Sequence, residues 1–258
     1  MKLIRRPLIA STLAFALFSA TARAQTAAEH IALGDKEHAA FNSTAALRHY
    51  EAAVALEPNN AEALGKASRD AVDVGESEQN RVTRDSLFRV GERYARLAVT
   101  ANPNDAENHF HLARALGRAA LSVGVRDRVK YAKDIREQAM KALEINPQHP
   151  GALHVMGVWN AEVMRLNSVQ RFFAKTVLGG GVLGTANWKD AVSYMERAVA
   201  ADPERLTHRL DLAKIYIDVK DKTKAREQLE HIIAATGQSD VNDPIYKREA
   251  KALLEKLS

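Results

Sequence analysis

The sequence predicts an all-α fold: a solenoid of helical hairpins with elongated middle repeats and a C-terminal capping helix. Three observations lead there. First, one spaced pattern recurs four times, as Ala53-Leu56-Pro58, Ala98-Ala101-Pro103, Ala142-Ile145-Pro147 and Ala198-Ala201-Pro203. Second, ten residues after each Pro stands a small side chain: Ser68, Ala113, Gly157 and Ala213. Third, hydrophobic residues make up 46% of the 258-residue chain but aromatics only 6%, with 13 Gly and no Cys. Such a composition suits helices packed closely through alanine. The absence of Cys rules out disulfides, thiolate metal sites and a cysteine nucleophile.

The Pro pattern is a helix stop, because Pro cannot continue a helix and pushes the residue before it out of the helical region. The small residue at fixed phase lets two helices approach. Helices are expected at 27–40, 43–57, 60–76, 81–101, 105–122, 127–145, 150–178 (broken near Asn167), 187–201, 204–219, 222–236 and 243–257. In the last, Asp243 is the expected N-cap, Pro244 suits the first turn, and Ile245, Leu253, Leu254 and Leu257 supply an apolar side. A solenoid needs such a cap to cover its terminal packing face. Asn42 or Ser43 caps the second helix.

These phases match the tetratricopeptide repeat, a 34-residue helical pair. Residues 27–60 fit through Leu33-Gly34, Ala46, Tyr50, Ala53 and Pro58, and residues 206–239 through Leu212-Ala213, Tyr216, Ala225, Leu229 and Ile232. The intervals between the four prolines are 45, 44 and 56 residues. The surplus falls between the two helices of each unit, so the middle helices are expected to be long.

The N-terminus reads as a signal peptide, residues 1–24. Lys2, Arg5 and Arg6 precede an apolar run, Leu8–Ala20, and Ala22-Arg23-Ala24 is a cleavage sequence before Gln25. The run is shorter than the ~20 residues that span a bilayer. A periplasmic or secreted chain is therefore expected, with residues 25–258 as one helical-repeat domain and no transmembrane segment. Without the leader, 33 basic residues face 32 acidic ones. The pI near 9.4 then loses its weight as a sign of nucleic-acid binding. The balance is uneven along the chain: residues 25–80 carry net −6, 81–141 net +6 and 142–258 net +1.

Residues 156–179 contain Gly157, Trp159, Glu162, Val163, Leu166, Arg171, Ala174, Lys175, Leu178 and Gly179 at a spacing that resembles the signature segment of the regulator of microtubule dynamics family. Ala142-Leu143 before it and Ala191…Ala198 after it extend the resemblance over roughly residues 80–257. The family carries Pro where this chain has Gly179-Gly180-Gly181. Its animal members have N-terminal anchors or coiled coils where this chain has the leader. The resemblance implies the helical-repeat fold. It also implies a ligand groove, since phospholipid binding is attributed to one animal member. The microtubule part of the name does not carry over to an exported bacterial chain.

The phase of the repeat places Arg69, Phe110, Arg114, Arg118, His154 and Lys214 on the concave face. Arg114 and Arg118 stand one turn apart. They are suited to binding carboxylate or phosphate, or alternatively form a solvated basic face or pair with Glu107 and Glu162. An acidic protein or peptide segment is thus one expected partner. Trp159, Phe172, Phe173 and Leu178 either line an apolar pocket for phospholipid or pack inside the solenoid. The chemistry-bearing motifs are weak. Gly179–Gly184 matches G-x-G-x-x-G without the strand a dinucleotide site needs. His109 and His111 point about 200° apart on a helix, and no His-Glu-x-x-His occurs. Asn42-Ser43-Thr44 is a formal glycosylation sequon. No catalytic residue, metal or cofactor is expected; the function expected is that of a non-enzymatic scaffold, with a lipid-binding module as the alternative.

Overall fold

A computed structural model describes residues 25–167, 170, 172 and 181–257. Eleven α-helices occur among the described residues: α1 Ala27–Ala39, α2 Ser43–Leu56, α3 Ala61–Ser77, α4 Arg81–Ala101, α5 Ala106–Ala119, α6 Val125–Ile145, α7 Pro150–Arg165, α8 Trp188–Ala201, α9 Leu206–Asp218, α10 Lys222–Ala234 and α11 Asp243–Leu257. No strand occurs among these residues. The helices pair as five antiparallel hairpins, α1/α2 through α9/α10, with α11 packed on the last.

Each patterned Pro follows a helix end by two residues, at Leu56, Ala101, Ile145 and Ala201. The chain then restarts within a few residues, and three of the restarts are capped by a side chain. Asn60 Oδ1 accepts the Ala63 N–H at 3.0 Å, Asp105 Oδ1 that of Glu107 at 2.9 Å, and His149 Nδ1 that of Ala152 at 3.2 Å. Such caps satisfy N–H groups that the first turn leaves without partners. Asn42 takes the same role before α2, accepting from Ala45. The expected cap at α11 differs. The Asp243 carboxylate accepts the Ser239 and Asp240 N–H groups of the preceding loop instead, at 2.7 and 3.0 Å.

The surplus residues lengthen α4 and α6 to 21 residues each, as expected; in the third interval α7 and α8 keep 16 and 14 residues, so there the surplus lies in the connection between them. The break expected near Asn167 in the helix over 150–178 is present: α7 ends at Arg165 and Leu166 turns extended (φ −60°, ψ 135°). Two hairpins close through Schellman turns with a non-glycine residue in the left-handed region, Phe41 (φ 58°) and Lys220 (φ 66°). In the second, the Lys220 N–H bonds Ile217 O at 3.0 Å and the Asp221 N–H bonds Tyr216 O at 2.8 Å.

The core is a series of local clusters, as a quasi-linear stack requires. Ala46, Tyr50, Ala67 and Ala71 join α2 to α3. Val72, Ala95, Leu112 and Leu116 join α3, α4 and α5. The largest cluster holds Leu153, Met156, Met195, Leu212 and Ile215, and Leu206, Leu210, Leu229, Ile232 and Ala250 seat the cap. All four small residues of the repeat are buried: Ser68, Ala113, Gly157 and Ala213. At Gly157 a Cβ would sit 3.2 Å from the Ala191 carbonyl oxygen and 3.1 Å from Met195 Cε, so α7 and α8 approach more closely than most side chains permit.

Candidate functional site: an ion-paired concave cavity

The first helices of successive hairpins, α3, α5, α7 and α9, lie side by side and form the concave wall. Against this wall lies a cavity of about 1180 Å³. It is lined by Arg69, Phe110, Arg114, Arg118, His154 and Lys214, all six of the expected groove residues, and by Trp159. Phe172 is 66% exposed, while Phe173 and Leu178 lie outside the described residues.

The wall is not a strip of free cations. Arg114 Nη2 donates to Asp73 Oδ1 at 2.6 Å and to Glu76 Oε1 at 2.9 Å, and Arg118 Nε donates to the same Glu76 oxygen at 2.9 Å. These acids come from α3, so the pairing with Glu107 and Glu162 that the sequence offered is not the one formed. Burial would raise the Glu76 carboxyl, but Arg118 and Arg114 hold it at about 2. Asp73 goes the other way. It is fully desolvated and crowded by Asp240, Glu76 and Asp70, which outweigh Arg114 and push it up. Arg69 bonds the buried Asp70 at 2.9 Å and the Tyr50 hydroxyl at 3.1 Å. Lys214 pairs with Asp211 at 3.1 Å and Glu249 at 2.9 Å. Burial works against the Lys214 ammonium, yet these acids raise it.

The C-terminal cap closes on the same network. The Asn242 amide donates to Glu76 Oε2 at 3.2 Å and the Tyr246 hydroxyl donates to it at 3.1 Å. One α3 carboxylate therefore binds two arginines of α5 and two residues of the cap. The solenoid curls far enough for its end to touch its second hairpin, and the concave face becomes a partly enclosed chamber.

Within the chamber the chemistry changes from helix to helix. On α7, Val155, Val158 and Trp159 stand where the neighbouring helices carry charges; Val129 and Ile135 of α6 and Leu183 extend this apolar side. The Trp159 indole N–H donates to Ala132 O at 2.7 Å, which fixes the ring. Phe110 fills the space a side chain at Gly151 would need: a Cβ there would lie 2.4 Å from Phe110 Cε2. Beside it, Glu107 lies 3.3 Å from His149 Nε2 and 3.6 Å from His111 Nε2. Because His149 Nδ1 accepts the cap bond, the proton of its neutral ring sits on Nε2, the nitrogen on the Glu107 side. His149 beside it lowers the Glu107 carboxyl against the effect of burial. Burial pushes His111 down to about 3, so its imidazole is neutral. His154 Nδ1 lies 2.9 Å from His208 Nδ1 and its Nε2 lies 3.3 Å from Asp211.

Among the described residues one group brings three metal-ligand atoms within reach, His38, Asp70 and Asp73. Its chemistry does not fit a cation. Asp70 already accepts from Arg69 and His38, and Asp73 from Arg114, so two guanidinium groups occupy the space a divalent ion would neutralise. His109 and His111 face apart as expected: His109 bonds Gln138 at 2.7 Å and Pro103 O at 2.8 Å, away from Glu107. The sequence missed Asp73, Glu76, Asn242 and Tyr246. The one signal for Asp73 and Glu76 was the excess of acid before residue 80 over an excess of base after it; Asn242 and Tyr246 had none.

No helix among the described residues is long and apolar enough to cross a membrane. A thermophilic tetratricopeptide-repeat protein of Thermus thermophilus superposes with a TM-score of 0.60 at 18% identity, over 88% of this chain and all of that one. The pilF protein of Pseudomonas aeruginosa gives 0.51 at 12% identity, over 88% of both chains. These likenesses establish a tetratricopeptide solenoid fold. Among sequence relatives, regulator of microtubule dynamics protein 1 of Bos taurus is 29% identical over 179 residues, 65% of this chain and 54% of its own length. The Homo sapiens protein is 27% identical, over 63% and 51%. The chain thus spans about half the length of the curated relatives it matches. The model describing regulator of microtubule dynamics proteins 1–3 matches residues 26–258, and on that match the chain belongs to the regulator of microtubule dynamics family.

Proposed function

We propose that the chain is an exported, non-catalytic scaffold that holds an extended protein segment in its concave chamber. The supporting observation is the makeup of the wall. Its cations are already neutralised by Asp73, Glu76, Asp70 and Asp211, while Phe110, Val155 and Val158 are only half-buried along the cavity, above the buried Trp159. An acidic segment would have to displace internal carboxylates. A segment with apolar side chains and a free backbone gains burial from the α7 face and hydrogen bonds from the polar rim. Export rests on the leader sequence. The test is selection of a displayed random-peptide library on the purified protein. Enriched peptides carrying apolar residues, with binding at least tenfold weaker to a Val155→Trp variant, are the expected result. Failure to enrich any peptide, or equal binding to the filled cavity, refutes the reading.

A second reading, an acyl-chain ligand, is supported by the apolar continuity of Val129, Ile135, Val158, Trp159 and Leu183 along one side of the chamber. Mass spectrometry of an organic extract of the native protein distinguishes the two. Stoichiometric lipid supports this reading, and an empty extract removes it.

A further inference from the structure

The excess of positive charge in residues 81–141 is not used by the chamber. Arg114 and Arg118 point inward and are paired, so the remaining cations belong mostly to α4 and α6, the second helices of their hairpins. On α4 the buried residues are Phe88, Gly91, Ala95 and Ala98. The helical period then places Val82, Ser86, Arg89, Arg93, Leu97 and Thr100 on the opposite, outward face, with Arg96 at its edge. All seven are exposed, and the face contains no acid. The acids of α4 are turned aside: Glu92 binds Arg96 at 2.9 Å and the Tyr131 hydroxyl at 2.9 Å, and Asp85 lies 3.7 Å from Arg81 and Arg84.

The Tyr131–Glu92 bond also sets α6 alongside α4 on the convex side. There α6 adds Arg126 and Lys130, both exposed, and Lys133. Asp127, Asp134 and Glu137 of the same helix lie among them, so the excess of positive charge rests on α4. Arg89, Arg93, Arg126, Lys130 and Lys133 form no ion pair among the described residues. This contrasts with the inner wall, where every expected cation is neutralised. The polarity of the molecule points the same way, with net −6 over residues 25–80 and net +6 over residues 81–141 in a chain whose balance from Gln25 onward is near zero.

We propose that the outward face of α4, with its flank on α6, docks on a bilayer surface rich in anionic phospholipid. A straight helix of 21 residues is roughly 30 Å long. As the outward face of a long helix it can lie along a plane. Val82 and Leu97, 76% and 45% exposed, flank the arginines on the same face. Arginine beside exposed apolar side chains is the composition of an interfacial contact, in which apolar tips enter the headgroup region and guanidinium groups meet phosphate. Docking by this face leaves the chamber on the opposite side free to hold its segment, so the proposal is independent of the chamber's ligand.

Sedimentation with vesicles tests it, using the chain from Gln25 onward, which carries every helix described above. Binding is expected to vesicles of phosphatidylglycerol mixed with phosphatidylcholine, and it should weaken steeply as salt screens the charges. Each surface cation is worth roughly fivefold in binding to an anionic membrane, so Arg89→Glu/Arg93→Glu, which removes two cations and adds two acids, should weaken it by at least ~30-fold while leaving the helical circular dichroism intact. Should that variant fail to fold, Arg126→Glu/Lys130→Glu decides the matter on the neighbouring helix. Equal binding to pure phosphatidylcholine, no binding to the anionic vesicles, unchanged binding by a folded charge-reversed variant, or tighter binding to duplex DNA than to vesicles would each overturn the proposal.

Discussion

Replacing Glu76 by Gln removes one charge from the junction between α3, α5 and the C-terminal cap while keeping the side chain's size. Its effect should depend on pH in a way that a packing defect cannot reproduce. The carboxyl sits at about 2 in the fold against 4.5 when free. At 1.36 kcal/mol per pH unit, that gap corresponds to about 3 kcal/mol of native-state stabilisation. The folded value is depressed, so the contribution is complete above pH 4.5 and is lost as pH falls toward 2. Urea denaturation of the two proteins, followed by circular dichroism, should therefore separate them by about 3 kcal/mol at pH 7 and bring them together near pH 2. Asp211, lowered by its His154 bond and by Lys214 against its own burial, titrates alike in both proteins and cancels in the difference. Equal stabilities at pH 7, or a difference that persists undiminished near pH 2, would refute the assignment of Glu76 as an ionised hub.

Three further outcomes are expected. Lys220→Gly should stabilise the protein by about 0.5–1 kcal/mol, because Lys220 holds φ 66° in a Schellman turn and only Gly is free of the Cβ clash there; the denaturation midpoint reads this directly. Leu153→Ala should cost about 3 kcal/mol, since Leu153 is fully buried in the cluster shared by α7 and its neighbours; a loss under 1 kcal/mol would contradict that packing. The intact mass of the protein from a periplasmic extract should correspond to a chain beginning at Gln25, and retention of residues 1–24 would remove the export reading.

The hairpins were legible because their signals are local. Pro58, Pro103, Pro147 and Pro203 end helices through their own backbone chemistry, and Ser68, Ala113, Gly157 and Ala213 mark close approaches at a fixed distance along the same chain. The inward phase of Arg114, His154 and Lys214 followed from that register. What these side chains bind did not follow. Asp73 and Glu76 lie 38–42 residues from Arg114 and Arg118, and Asn242 and Tyr246 lie 166–170 residues from Glu76. Those meetings depend on small rotations accumulated from one hairpin to the next, which no single repeat encodes. The cap of α11 was misread for a related reason. Asp243 suits an N-cap by type, but its loop supplies two closer N–H donors, at Ser239 and Asp240.

Photo-crosslinking from two positions tests the account at its centre. A photoreactive residue is placed at Val158, inside the chamber, and in a separate variant at Ser86, on the convex ridge, and each protein is irradiated in extract of its own compartment. If α3, α5, α7 and α9 form a receptor wall, position 158 should capture a defined polypeptide segment that position 86 does not. Capture of the same polypeptides from both positions, or of none from Val158, would contradict it.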